Sequence, residues 1–375
     1  YDGYISDVIG DRTIHFLENV RDKTQPFMLM MQFKATHRSW MPPLRYLDQY
    51  KDDEIPEPAT LFDDLDGYQY RSSAAQGAKM SLGRSPVGHY LNEGYDDKRH
   101  FSHRVFSPMT EKQLDAYRAA YAEENARFPA NGSQKEQRSW NYRRYITDIL
   151  STRKTIDDNL GRVHDYLKAN GLEEDTLVIY TSDQGFYLGE HSWFDKRWMY
   201  EESLRTPLIV KWPGHVEPSV KNTTDIVSNL DFAQTFLDIA GIPQPEDMQG
   251  ASLVPVFEGR TPADWRKSFY YQYYEGGFHG VPNHYGVTTG RYKLIYFHEF
   301  DEWEFYDLKR DPQETINQYH IRENESIIKN LKQELARLRT ELELPNDEKI
   351  GTRTPRKTLK WREQLPMKKM TPAKQ

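Results

Sequence analysis

Apolar residues first recur near helical spacing in SDVIGDRTIHFLENV, where Val8, Ile9, Phe16 and Leu17 mark one face and predict an amphipathic helix. After a short loop with Pro26, FMLMMQF (Phe27 to Phe33) is a continuous apolar run, too short for a helix and bounded by polar residues. It predicts a strand buried on both faces, as in a parallel sheet. Residues 34–62 are Pro-rich and irregular but carry Trp40, Leu44, Tyr46 and Phe62, so they read as a covering or functional loop. The stretch from Asp63 to about Gln137 is polar and mixed, with a short helix expected around SPMTEKQLDAYRAAYAEENARF and Thr110 as its cap. From about Arg138 to Ala169 the spacing of Tyr145, Ile149, Ile156, Leu160, Val163 and Leu167 predicts a long helix that Gly171 stops.

A second apolar run, LVIY (Leu177 to Tyr180), reads as a buried strand and opens directly into the polar TSDQGFYLGEHSWFDKR. Strand PLIVKW (Pro207 to Trp212) follows, then a helix from Asp231 to Ala240 that ends at Gly241. Strand, loop, helix and strand in this order predict an α/β layered domain. After about Asp264 the chain turns Tyr- and Phe-rich and broken by Gly (SFYYQYY, YGVTTGRYKLIYFHEF, EWEFYDL), which predicts a small antiparallel sheet. SIIKNLKQELARLRTELEL closes with one amphipathic helix, its apolar face at Ile327, Leu331, Leu335 and Leu338. The expected organisation is an α/β domain over residues 1–263, a sheet-plus-helix subdomain over 264–345 and a basic tail over 346–375.

Composition narrows the function. A net charge of -7 over 375 residues argues against the concentrated basic face that nucleic acid requires. The chain has no cysteine, which excludes disulfides, thiolate metal sites and a cysteine nucleophile within it. No apolar run reaches transmembrane length. The chain opens at Tyr1 with no Met and no signal-peptide pattern, so a processed product or a fragment is expected. Aromatic residues make up 13%, which suits stacking on sugar rings and ordinary core packing alike.

Three stretches carry candidate chemistry. Asp183 and Gln184 end a predicted strand, where ligands of α/β sheets gather, and offer oxygens to a hard cation; a plain turn explains them equally well. Lys196, after Gly189-Glu190-His191, has the charge to neutralise an anionic ester, although charge runs in loops are common. His37 lies directly after the apolar run in KATHRSW and has the chemistry of a general acid, although a lone His is more often structural.

Together these stretches resemble the sulfatase family, within the alkaline-phosphatase-like superfamily. The resemblance rests on QPFMLMMQFKATHRSWMPP, TLVIYTSDQGFYLGEHSWFDKRWMYEESLRTPLIVKWPG, VSNLDFAQTFLDIAGIPQPEDMQGASLVPVF, RYKLIYF and EFYDLKRDPQETIN, and spans roughly Gln25 to Leu342. Its nearest branch looks like the N-acetylglucosamine-6-sulfatases and bacterial relatives acting on sulfated glycans. The resemblance implies a mixed or parallel sheet flanked by helices, with a small C-terminal antiparallel sheet. It implies a sulfuric ester hydrolase acting on a sulfated oligosaccharide or polysaccharide, in the periplasm or outside the cell. It casts Asp183 and Gln184 as two ligands of a Ca²⁺, Lys196 as the contact to the sulfate and bridging oxygen, and His37 as the general acid. His191 and Arg197 would line the pocket, and His284 would touch the sugar.

Thr36 stands where the family usually has Pro before that His. The family's nucleophile, a formylglycine from Cys or Ser in C/S-x-P-S-R, is not in this sequence; SLGRSPVG (Ser81 to Gly88) has the wrong order. The expectation is therefore a C-terminal fragment of a sulfatase, lacking the nucleophile and two acidic ligands and inactive by itself. The alternatives are a phosphodiesterase or phosphonate hydrolase of the same superfamily, and a non-catalytic protein that binds sulfated glycan.

Overall fold

The structure is a computed structural model that describes residues 3–51, 54–66, 71–78, 80–82, 108–275 and 279–345. Most of the SLGRSPVG stretch and the basic 346–375 tail lie outside the described residues. In chain order the helices are α1 (Ile5–His15), α2 (Asp63–Asp66), α3 (Ser73–Gln76), α4 (Glu111–Ala126), α5 (Gln134–Ala169), α6 (Glu201–Leu204), α7 (Asp231–Ile239), α8 (Val254–Phe257) and α9 (Glu325–Glu341). The strands are β1 (Val178–Thr181), β2 (Tyr187–Leu188), β3 (Phe194–Asp195), β4 (Leu208–Lys211), β5 (Phe269–Tyr273), β6 (His284–Thr288), β7 (Tyr292–Phe297) and β8 (Glu302–Asp307). The chain divides into two compact units, Tyr1–Leu61 with Leu82–Leu177 and Phe62–Ser81 with Val178–Gln375.

In the first unit both long helices begin where their side chains satisfy the orphan amides. Thr110 caps α4 as expected: its Oγ1 accepts from Gln113 N at 3.3 Å, and the Gln113 side chain accepts from Thr110 N at 2.8 Å. Ser133 and Glu136 form the same box, which starts α5 at Gln134, before the first apolar repeat. Gly171, at φ 67, follows its end. Helix α1 forms as its spacing predicts and packs on α5 at a close approach. A Cβ at Gly10 would stand 2.1 Å from Asn159 Oδ1 and force that amide out of place. Asn159 Nδ2 donates to Asp7 Oδ1 at 3.0 Å, and Arg45 grips Asp7 bidentately at 2.7 and 2.8 Å. The Pro-rich loop lies on these helices, with buried Trp40 edge-on to Tyr145 at 4.8 Å.

Two strand readings need correction. Phe27–Phe33 forms no strand, and Met28 and Met30 are 61% and 63% exposed. A strand exists only where a neighbour takes its N–H and C=O groups, and no described backbone pairs with this run. β1 and β4 do form, but they pair with each other antiparallel, Val178 opposite Lys211 and Thr181 opposite Leu208. Tyr180 and Ile209 on this ribbon are exposed. Apolar composition states what a segment gains from cover; it does not supply the cover.

The second unit holds the antiparallel sheet β5-β6-β7-β8 that the Tyr-rich texture predicted. Its period-2 alternation gives it two buried faces. Tyr285, Val287, Leu294 and Phe305 point to α9 and meet Ile328, Leu331, Leu335 and Leu338. Each such side chain contributes roughly 1.5–3 kcal/mol on burial. The opposite face carries His284, Gly286, Lys293, Phe297, Glu304 and Tyr306, and it receives the segment Trp198–Glu201. Trp198 stacks near His284 and Phe297, both at 5.9 Å, and a Cβ at Gly286 would stand 2.5 Å from Met199 Sδ.

Glu304 locks this arrangement. Its buried carboxylate accepts from Ser72 N at 2.8 Å and Ser72 Oγ at 2.5 Å, and from the hydroxyls of Tyr200 at 2.6 Å and Tyr306 at 3.1 Å. One carboxylate thus ties the start of α3, the segment before α6 and the sheet.

Candidate active site

The polar loop is built outward from β1. Ser182, Asp183 and Gln184 form a bend, with Asp183 exposed and its Oδ1 3.4 Å from Ser182 Oγ. Gly185 is buried and donates its N–H to Ser203 O at 2.9 Å. A Cβ there would stand 2.1 Å from Glu202 O, a backbone atom that cannot swing away. Gly185→Ala is expected to destabilise the second unit by about 1–3 kcal/mol through overpacking. Thermal unfolding checks this, and an unshifted midpoint would refute the close approach.

The hairpin β2–β3 pairs Tyr187 with Asp195 and Leu188 with Phe194. Around it the backbone is left-handed at four non-glycine residues, His191 (φ 57), Ser192 (φ 65), Asp195 (φ 74) and Arg197 (φ 101). Such conformations cost of order 1–3 kcal/mol each and persist only where the surroundings enforce them. The enforcement is an aromatic stack: Trp193 lies 5.0 Å from Trp198 and 5.7 Å from Tyr200, and Tyr187 meets Trp193 edge-on at 5.3 Å. Strained residues on both sides of Lys196 fix where its side chain starts.

Lys196 and Arg197 have side chains 14% and 11% exposed. Both face Asp195, with Arg197 Nη1 at 2.6 Å and Lys196 Nζ at 3.9 Å from its carboxylate oxygens. Lys196 Nζ also lies 5.9 Å from the Phe186 ring centre. The Arg197 N–H donates to Ser203 Oγ at 2.9 Å, and Tyr271 OH donates to Arg197 O at 2.7 Å. The structure thus brings Lys196 and Arg197 together and adds Asp195.

His191 and His284 are fully buried. His191 Nδ1 lies 2.5 Å from Arg71 Nη2 and 3.3 Å from Asp63 Oδ2, and its Nε2 lies 3.4 Å from Glu202 Oε2. His284 sits among Trp198, Tyr271, Tyr273 and Phe297, with Nδ1 2.9 Å from Pro282 O. Burial pushes its imidazole down to about 4, so it is neutral at neutral pH. Both histidines support the loop from inside.

His37 belongs to the first unit and is exposed. Its Nδ1 lies 2.7 Å from Arg38 O, a carbonyl that can only accept. The proton of the neutral ring therefore sits on Nδ1, which leaves the lone pair on Nε2. Trp40 Nε1 donates to Thr36 O at 2.9 Å and holds the loop where the family usually has Pro.

Asp195 and His279 escaped sequence reasoning. Asp195 stands beside Lys196, and its charge could have flagged it. His279 has no local signal; the fold brings it to this group. Its Nδ1 lies 3.0 Å from Glu275 Oε2, and burial, then the charge of Arg197, hold its imidazole below the usual value.

The site is thus an α/β strand end whose strained loop presents a lysine and an arginine around one aspartate. The chain belongs to the sulfatase family: the family described as Sulfatase matches residues 1–242, and the C-terminal family of N-sulphoglucosamine sulphohydrolase matches residues 189–341. An N-acetylglucosamine-6-O-sulfatase of Bacteroides thetaiotaomicron is 44% identical over 331 residues, covering 84% of this chain and 58% of that protein. An arylsulfatase of Clostridium perfringens is 28% identical, covering 82% of this chain and 52% of that protein. The chain therefore spans a little over half the length of these relatives. A solved structure in complex with its substrate D-glucosamine-2-N,6-O-disulfate superposes with a TM-score of 0.86 at 42% identity, covering 92% of this chain and 71% of that one. The fold is the alkaline-phosphatase-like α/β architecture that the resemblance implied.

Proposed function

We propose that the protein is a sulfuric ester hydrolase that removes sulfate from a sulfated glycan, with the 6-O-sulfate of N-acetylglucosamine as first substrate. The observation that carries this reading is the Lys196–Arg197–Asp195 group on its strained loop, in a chain 44% identical to an N-acetylglucosamine-6-O-sulfatase. The match to a structure holding a 6-O-sulfated glucosamine supports the same substrate class.

The hydrolysis passes the sulfuryl group to water, and as the S–O bond to the sugar breaks, charge grows on the bridging oxygen. A half-buried ammonium stabilises that charge more than water does, because low dielectric strengthens it and the group is already in place. Lys196 takes this role. The resemblance alone assigns His37 the donation of a proton to the departing sugar oxygen. Arg197, oriented by Asp195 and Tyr271, binds the substrate beside Lys196. A periplasmic or extracellular setting belongs to this reading; among the described residues, no helix is long and apolar enough to cross a membrane.

Calcium is the metal this reading carries from the resemblance. Asp183 and Gln184 supply two side-chain oxygens, whereas Ca²⁺ takes six to eight oxygen ligands. Among the described residues, no group of three or more His, Cys, Asp or Glu converges on a metal position. These two residues do not by themselves fit the ion, and no step is assigned to it.

Ion chromatography of sulfate released by the natural protein from glucosamine 6-sulfate and glucosamine 3-sulfate tests the position. Release from the 6-sulfate alone is expected. Preference for the 3-sulfate would overturn the assigned substrate.

A further inference from the structure

Lys196 and Arg197 lie on a backbone that does not hold itself. Arg197 has a φ of 101, outside the regions that L-residues ordinarily occupy. Such a conformation persists only where neighbours impose it. Two side chains touch the backbone of Arg197, and they come from different elements. Ser203, on α6, accepts the Arg197 N–H on Oγ at 2.9 Å. Tyr271, on β5, donates its hydroxyl to Arg197 O at 2.7 Å. A peptide is planar, so a bond to one of its groups orients the whole plane. The N–H belongs to the peptide that joins Lys196 to Arg197, and the C=O to the peptide that follows. Together the two bonds set φ and ψ at Arg197, and the Ser203 bond also sets ψ at Lys196.

Both anchors are themselves fixed. Ser203 is buried, its N–H donates to Tyr200 O at 3.0 Å, and its carbonyl accepts the Gly185 N–H at 2.9 Å. One residue thus holds the loop at its start by main chain and at its end by side chain. The first N–H of α6, that of Glu201, donates to the Glu314 carboxylate at 2.7 Å and seats the helix. Tyr271 stands opposite Gly286 in the sheet, on the face that receives Trp198–Glu201, and its ring centre lies 5.7 Å from that of His284.

We propose that Ser203 and Tyr271 are positioning residues for the sulfate-ester site, Ser203 aiming Lys196 and Arg197 together and Tyr271 aiming Arg197 alone. The division of roles follows from which peptide each residue holds. That the two cations face the ester rests on the function proposed above; the two hydrogen bonds do not.

Steady-state kinetics of the natural protein with glucosamine 6-sulfate, normalised to the folded fraction from a thermal melt, tests it. Ser203→Ala removes the acceptor and is expected to lower kcat and raise KM, each about tenfold, the worth of one hydrogen bond. Ser203→Thr keeps the hydroxyl and should recover most of both. Tyr271→Phe keeps the ring and should raise KM about tenfold while kcat stays within about twofold of the wild type. Unchanged kcat and KM in Ser203→Ala would overturn the assignment. So would a Tyr271→Phe that lowers kcat as far as Ser203→Ala does, or a loss that a folded Ser203→Thr fails to recover. Amide exchange at Arg197, followed by NMR without substrate, separates the two readings. Exchange about tenfold faster in Ser203→Ala, with no sulfate released by the wild type, would keep the backbone clamp and sink the ester chemistry. Unchanged exchange would sink the clamp whatever the kinetics.

Discussion

Replacing Lys196 with alanine is expected to cut sulfate release by the natural protein about 10²–10³-fold, the usual cost of losing one preorganised charge-stabilising group. The fold should survive. The strained backbone around Lys196 is held by Trp193, Trp198 and Tyr200, not by its ammonium, which lies 3.9 Å from Asp195. Lys196→Arg should restore little, because a planar fork replaces a compact ammonium within a few ångströms of Arg197. Steady-state kinetics with 6-sulfated glucosamine, beside a thermal melt, checks both statements. Loss of activity together with the melt would mean that Lys196 holds structure, and undiminished activity would remove it from the mechanism.

Glu304→Ala is expected to have the largest effect on stability, about 3–5 kcal/mol, as for other buried charged groups stripped of one partner. It strands the Ser72 N–H and the hydroxyls of Ser72, Tyr200 and Tyr306 in a dry interior, where each unmade hydrogen bond costs about 1–3 kcal/mol. Glu304→Gln keeps an acceptor and should cost less. Urea unfolding with an unchanged slope measures both. A loss below about 1 kcal/mol for alanine would show that the carboxylate is not the tie between α3, Tyr200 and the sheet.

Local signals were legible where local chemistry decides. Thr110 and Gly171 gave the helix limits, because caps act over one turn. Leu331, Leu335 and Leu338 gave the face of α9, because one helix period meets one sheet. The start of α5 was placed late, since the apolar repeat begins after the polar Ser133–Glu136 box. Phe27–Phe33 and the β1–β4 pairing were misread because strand identity belongs to a ladder, and a ladder is set by residues distant in sequence.

The site divides the same way. Lys196 and Arg197 stood out as charges after a strand, and the structure sets them together. His191 and His284 carried the same residue type into the interior, and nothing in a short window separates an internal histidine from a ligand-facing one. His279 was invisible, since its meaning lies in contacts with Arg197 and Asp195, far away along the chain.

The central claim is the chemistry of the ester. Incubating the natural protein with N-acetylglucosamine 6-sulfate and, in parallel, with N-acetylglucosamine 6-phosphate measures it most directly. Sulfate release from the first and no phosphate from the second is the predicted result; phosphate release without sulfate release would contradict the account.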